Sequence, residues 1–208
     1  MEKLFMEKTW ARILSVIFHP LLVPSFFLLI LFRLPVYLQL NIPFKVKSLV
    51  LLFVFLMTFV LPVLVVLGMW MLKLVESMEM RHRHERLLPM VVIVIFFYIT
   101  FFSLKQLAVF QPATVFMLGS VVLVLMGLVF NYFYKISQHM IAWGGLSGAM
   151  ISMSLNLHAP LYFWIFGTIL ASGLTGYARL KTAAHTPFEV YTGWLLGLVV
   201  MGALFLVL

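Results

Sequence analysis

Seven stretches of this chain stay apolar for about a helical membrane crossing at a time: 13–32, 47–74, 87–104, 114–134, 139–157, 159–178 and 188–208. A spanning helix needs roughly 20 such residues. Inside hydrocarbon every backbone N–H and C=O must be satisfied within the protein, which leaves helices or closed barrels. The runs show no strand-like alternation, so they predict helices. The expected fold is an all-α polytopic transmembrane bundle of about seven spans, with six as the alternative. No linker or low-complexity tract interrupts residues 1–208, which are expected to form a single membrane domain.

Composition agrees with this expectation. Hydrophobic residues make up 64% of the chain and charged residues 10%, against about 25% charged in soluble domains. The absence of cysteine excludes disulfides, thiolate catalysis and cysteine-ligated metal. A net charge of +8 would suggest nucleic acid as a partner of a soluble protein. In this chain basic loops at an anionic bilayer surface account for it, so membrane lipids are the expected partners and nucleic acid is not. The opening "MEKLFMEKTWAR" is short and amphipathic, and no small-residue cleavage site follows its apolar run. It reads as a retained helix. The expected location is the cell membrane of a bacterium or archaeon.

The breaks between runs alternate sides. One side collects the N-terminus, 75–86, 135–138 and 179–187, with Lys3, Lys8, Arg12, Lys73, Arg81, Arg83, Arg86, Lys135, Arg179 and Lys181. The other collects Arg33, Lys45, Lys47 and Lys105. The positive-inside rule puts the first side in the cytoplasm. The count narrows from ten against four to six against four if Arg83, Arg86, Lys135 and Arg179 are retained for function. Gly144/Gly148, Gly167/Ala171 and Gly193/Gly197 have the spacing that lets helix backbones approach closely in lipid. Pro20, Pro24 and Pro62 fall inside apolar runs, where membrane helices tolerate them.

Three polar clusters fall on the basic side, each near the expected start of a helix: "RHRHERLLP" from Arg81, "KISQHM" from Lys135, and "ARLKTAAHTPFE" from Ala178. Helix N-termini attract anions, and arginines clamp phosphoryl oxygens. All six acidic residues are glutamates, and Glu189 alone lies inside an apolar stretch. Charge there costs roughly 2.5–3.5 kcal/mol on insertion scales, so it reads as functional. His185 and Glu189 are four apart, which on a helix puts them on one face. The carboxylate can then hold one ring nitrogen and leave the other to attack. His139 is placed to act as a general acid. His19 and His158 lie away from these clusters and read as structural. His82 and His84 joined to His139, His185 and Glu189 would make a metal site, but no compact ligand motif supports one. No cofactor and no metal are expected.

From residue 79 to 197 these clusters resemble the type 2 phosphatidic acid phosphatase superfamily, which includes lipid phosphate phosphatases and vanadium haloperoxidases. The family patterns are KxxxxxxRP, PSGH and SRxxxxxHxxxD. "ARLKTAAHTPFE" keeps Arg179, His185 and an acid at Glu189, with Gly193 beyond. "ISQH" keeps Ser137 and His139, while Ile136 and Gln138 stand in place of proline and glycine. Arg86 and Pro89 represent the RP pair with two leucines between them, and Glu79 occupies the lysine position. The resemblance implies that His185 forms a phosphohistidine, Glu189 orients it and His139 is the general acid. It implies that Arg179, Arg86, Ser137 and the backbone near Gln138 hold phosphate oxygens. Arg83 or Lys135 is expected to replace the missing lysine.

Two departures bear on activity. Two apolar spans separate the first two clusters, where many family members carry an extramembrane loop. Glutamate in place of aspartate lengthens the orienting arm by one methylene. The expected function is hydrolysis of a phosphomonoester or pyrophosphate on a lipid, isoprenyl phosphate or phosphatidate-like, without metal. The alternative is a non-catalytic lipid-phosphate binder or transporter of the same fold. The resemblance allows an outward-facing site, against the charge count, so sidedness stays open.

Overall fold

The computed structural model describes residues 2–34, 42–75, 84–107, 111–156, 158 and 160–207. Among them all regular structure is helical: α1 (Glu2–Ile17), α2 (Val23–Leu31), α3 (Phe44–Phe55), α4 (Leu61–Met71), α5 (Leu87–Gln106), α6 (Gln111–Phe133), α7 (Gln138–Asn156), α8 (Tyr162–Lys181) and α9 (Pro187–Leu206). Five stretches are long and apolar enough to cross a membrane: Thr9–Leu31, Phe44–Met71, Leu87–Gln106, Gln111–Phe133 and Pro187–Leu206. The helices α7 and α8 occupy expected ranges but are less apolar. Gly144, Ser147, Gly148 and Ser152 dilute α7, and Thr168, Ser172, Thr175 and Gly176 dilute α8.

The prolines act where the ladder can yield. The first apolar run is broken at His19, and Pro20 opens a 3-10 turn, Pro20–Leu22. Pro24 falls in the first turn of α2, where its missing N–H costs nothing. At position 62 a residue with an N–H would donate to the Thr58 carbonyl, and proline cannot. Its missing N–H coincides with a π turn at Leu56–Val60, and Leu61 N–H reaches back to Leu56 O.

The chain divides into two compact units, Met1–Val23 with Leu125–Leu208, and Pro24–Val124. In the second, α5 packs on α4 and the π turn. Phe27 and Phe116 stack with ring centroids 4.0 Å apart. Arg86 stands at the N-cap position of α5, where its side chain makes no capping hydrogen bond, and is 9% exposed.

In the first unit, α7 and α9 run parallel in close contact. A Cβ at Gly144 would collide with Trp194 O, and one at Gly148 with Leu198 O. From the other side, a Cβ at Gly197 would collide with Ile141 O. Contacts therefore advance in the same direction along both helices. Ser152 Oγ donates to Gly202 O at 2.9 Å and Asn156 Nδ2 to Phe205 O at 2.6 Å, fastening the far end. The expected pairs Gly144/Gly148 and Gly193/Gly197 thus serve close approach. Gly167 does not, because its Cβ position meets nothing within 4 Å.

The return helix α8 packs against α7, with Ser147 Oγ 3.4 Å from Ser172 Oγ. Its end is fixed by Ala183 at φ 51. Ala184 N–H donates to Arg179 O at 3.1 Å and Ala183 N–H to Leu180 O at 3.0 Å. This is a Schellman closure, which satisfies terminal carbonyls and turns the chain sharply. The turn delivers His185 to the end of the unit where α7 and α9 both begin. Helix α1 packs on α8, and Trp143 Nε1 donates to Phe18 O at 3.0 Å.

Candidate functional site

The start of α9 is built by local rules. Thr186 precedes Pro187 and is extended, as a residue before proline should be. Thr186 Oγ1 accepts from Glu189 N–H at 3.4 Å, and Glu189 Oε2 accepts from Thr186 N–H at 3.1 Å. This capping box pins the carboxylate beside the helix start.

The same Oε2 accepts from His185 Nδ1 at 3.0 Å, and Lys135 O accepts from that nitrogen at 3.2 Å. Both neighbours of Nδ1 are acceptors, so Nδ1 carries the proton. Neutral His185 then holds its lone pair on Nε2. The His185 side chain is 2% exposed. The expected pairing of His185 with Glu189 is present, but its basis differs from the helix-face argument. His185 precedes α9, and the carboxylate reaches back to it through the cap.

Ser137 sits at the N-cap position of α7 and is fully buried. Its N–H donates to Glu189 O at 3.3 Å, which ties the two helix starts together. Its Oγ has no hydrogen-bond partner among the described residues. An N-cap hydroxyl normally caps its own helix. Here it caps nothing and lies next to the N–H-rich end of α7. The Gln138 side chain packs against Gly127, where a Cβ would meet its Nε2 at 2.5 Å.

His139 Nε2 donates to Ser15 O at 3.2 Å. Its neutral form therefore carries the lone pair on Nδ1. The His139 and His185 rings lie within electrostatic reach of each other. Arg179 occupies the last turn of α8, a helix end rather than the helix start expected for its cluster. A cation is favoured there by the dipole, and its charge also bears on His139.

Lys135, Ser137, His139, Arg179, His185 and Glu189 thus converge at one end of one unit. Arg86 belongs to the other unit, at the start of α5. Arg83, Glu79 and His82 lie outside the described residues. Among the described residues no group of three histidines or carboxylates is placed to hold a metal ion. His158, read as structural, lies in the turn between α7 and α8 at φ 46.

Sequence reasoning missed two contributors from the N-terminal segment. The Ser15 carbonyl orients His139. His19, read as structural, sets its ring edge-on to His139 with centroids 5.5 Å apart, and the Arg179 charge bears on it as well. The available signal was a histidine inside an apolar run, which is costly in a membrane. No known protein family, curated protein or solved structure matches this chain.

Proposed function

We propose that this chain is a membrane-embedded lipid phosphate phosphatase of about seven crossings that works through a phosphohistidine. The observation that carries the reading is the double acceptor environment of His185 Nδ1, which leaves Nε2 as a nucleophile. Support also comes from the resemblance of Arg179, His185 and Glu189 to the type 2 phosphatidic acid phosphatase pattern. The unpartnered Ser137 Oγ at a helix N-terminus adds an anion-binding group.

In the proposed course the phosphoryl group of the lipid lies against the start of α7, with Arg179 balancing its charge. His185 Nε2 attacks phosphorus, and the bond from phosphorus to the lipid oxygen breaks. With the phosphoryl dianion beside it offsetting the cost of burying the charge, His139 is protonated on both nitrogens; it gives its Nδ1 proton to that oxygen and keeps Nε2–H on Ser15 O. A water molecule then attacks the phosphohistidine. Its proton passes to His139 Nδ1, the P–N bond breaks, and the electron pair returns to His185. Inorganic phosphate and the free lipid alcohol, or the shortened phosphate, leave. The charge count favours a cytoplasmic site.

A second reading, a lipid-phosphate binder without turnover, draws on Ile136 and Gln138 in place of the family's proline and glycine. Phosphate release from isoprenyl phosphates, isoprenyl pyrophosphates and phosphatidate separates the two. Turnover by the wild type that disappears in His185→Ala supports the enzyme. Absence of turnover on the whole panel, with binding retained, leaves the binder.

A further inference from the structure

We infer that the π turn of the second unit binds an internal water molecule, which accepts from Thr58 Oγ1 and donates to the carbonyls that Pro62 deprives of their regular partners. The inference is independent of the phosphate site and of any turnover.

Two irregularities coincide in Phe44–Met71, a stretch long and apolar enough to cross a membrane. The first lies in the backbone. Met57 O would take its bond from Leu61 N–H in an α-helix, or from the residue at 62 in a π turn. Leu61 N–H goes instead to Leu56 O, and Pro62 has no N–H to give. Thr58 O loses its α-helical donor to the same proline.

The second lies in a side chain. Thr100, Ser120, Ser172, Thr175 and Thr192 each send their hydroxyl to the carbonyl four residues back, at 2.6–2.8 Å. That bond satisfies a helical hydroxyl without any further partner. Thr58, inside the π turn, does not make it. The residue is fully buried, and among the described residues its Oγ1 has no hydrogen-bond partner. A hydroxyl left unpaired away from water is costly, and valine would fill the same volume without that cost. Threonine is favoured at this position once its hydroxyl meets a partner.

The chemistry of the groups selects that partner. The hydroxyl can donate and accept, whereas the carbonyls only accept. Water complements the set: its oxygen takes the Thr58 proton and its two hydrogens serve carbonyls. Buried waters make about three such bonds, and membrane helices broken at proline recruit ordered water in this way. Helix α5 packs on the π turn. Its own buried hydroxyl, Thr100, is already spent on Phe96 O. The water therefore closes the gap that Pro62 opens in the ladder.

The experiment compares full-length wild type, Thr58→Val and Thr58→Ser in nanodiscs. It measures thermal unfolding and, by NMR, magnetisation transfer from long-lived water to the amide protons of residues 57–61. Wild type should show the transfer, Thr58→Ser should keep it and Thr58→Val should lose it. Thr58→Val should also unfold about 2–4 °C lower, because the water and the carbonyls lose a partner. A hydroxyl that is simply unpaired gives the opposite sign. An unfolding temperature of Thr58→Val equal to or above that of the wild type overturns the inference, and so does absence of water transfer in the wild type. Exchanging sodium chloride for choline chloride at equal ionic strength should leave the unfolding temperature unchanged. A sodium-specific rise that Thr58→Val abolishes makes the occupant a cation and overturns the assignment to water.

Discussion

One oxygen of Glu189 accepts two hydrogen bonds, from His185 Nδ1 at 3.0 Å and from Thr186 N–H at 3.1 Å. The residue that caps α9 therefore also fixes the tautomer of the imidazole before it. Structure and chemistry share this atom, and substitutions can separate them. Glutamine can still close a capping box, so Glu189→Gln should keep the wild-type unfolding temperature. It should lower turnover about a hundredfold by loosening the ring. Glu189→Ala should lose turnover and also about 1 kcal/mol of stability with the cap. Equal unfolding temperatures for all three proteins would show that the box contributes nothing.

The His185 tautomer predicts where phosphate attaches. Acid-free quenching during turnover should trap a phosphohistidine substituted on Nε2, distinguishable by phosphorus–nitrogen NMR from the Nδ1 isomer. His185→Ala should reduce turnover by about 10⁴-fold or more. A phosphate found on Nδ1 would contradict the hydrogen-bond assignment.

Close approach of α7 and α9 predicts a contrast among glycines. Gly144→Ala and Gly197→Ala put a methyl against backbone oxygens of the facing helix. Each should destabilise by about 1–3 kcal/mol, as overpacking does. Gly173→Ala and Gly167→Ala meet open space. They should be neutral or stabilising by up to about 1 kcal/mol through helix propensity. Thermal unfolding in one detergent reads all four.

The charge count predicts that the turn between α8 and α9 faces the cytoplasm. Ala183 is exposed there, and the chain has no native cysteine. A single Ala183→Cys should react with an impermeant thiol reagent only after the membrane is opened. Labelling of intact cells would place the site outside.

The sequence by itself determined the solvent and the class of structure. Long apolar runs admit few alternatives to helices, because hydrocarbon offers the backbone no hydrogen bonds. Helix locations followed to within a few residues, because they depend on neighbours in the chain; the capping box at Thr186–Glu189 is equally local, but it emerged from the structure in place of the expected shared helix face. The grouping of Ser137, His139, Arg179, His185 and Glu189 was readable as a pattern, but its geometry was decided in three dimensions. The parallel pairing of α7 with α9 depends on which glycine meets which carbonyl. The tautomer of His139 depends on the distant carbonyl of Ser15, and Lys135 O joins Glu189 in holding that of His185. The place of His19 depends on the packing of the N-terminal segment. Local preferences act over a few residues and can be read along the chain, whereas contacts between segments depend on shape, which one-dimensional spacing does not encode.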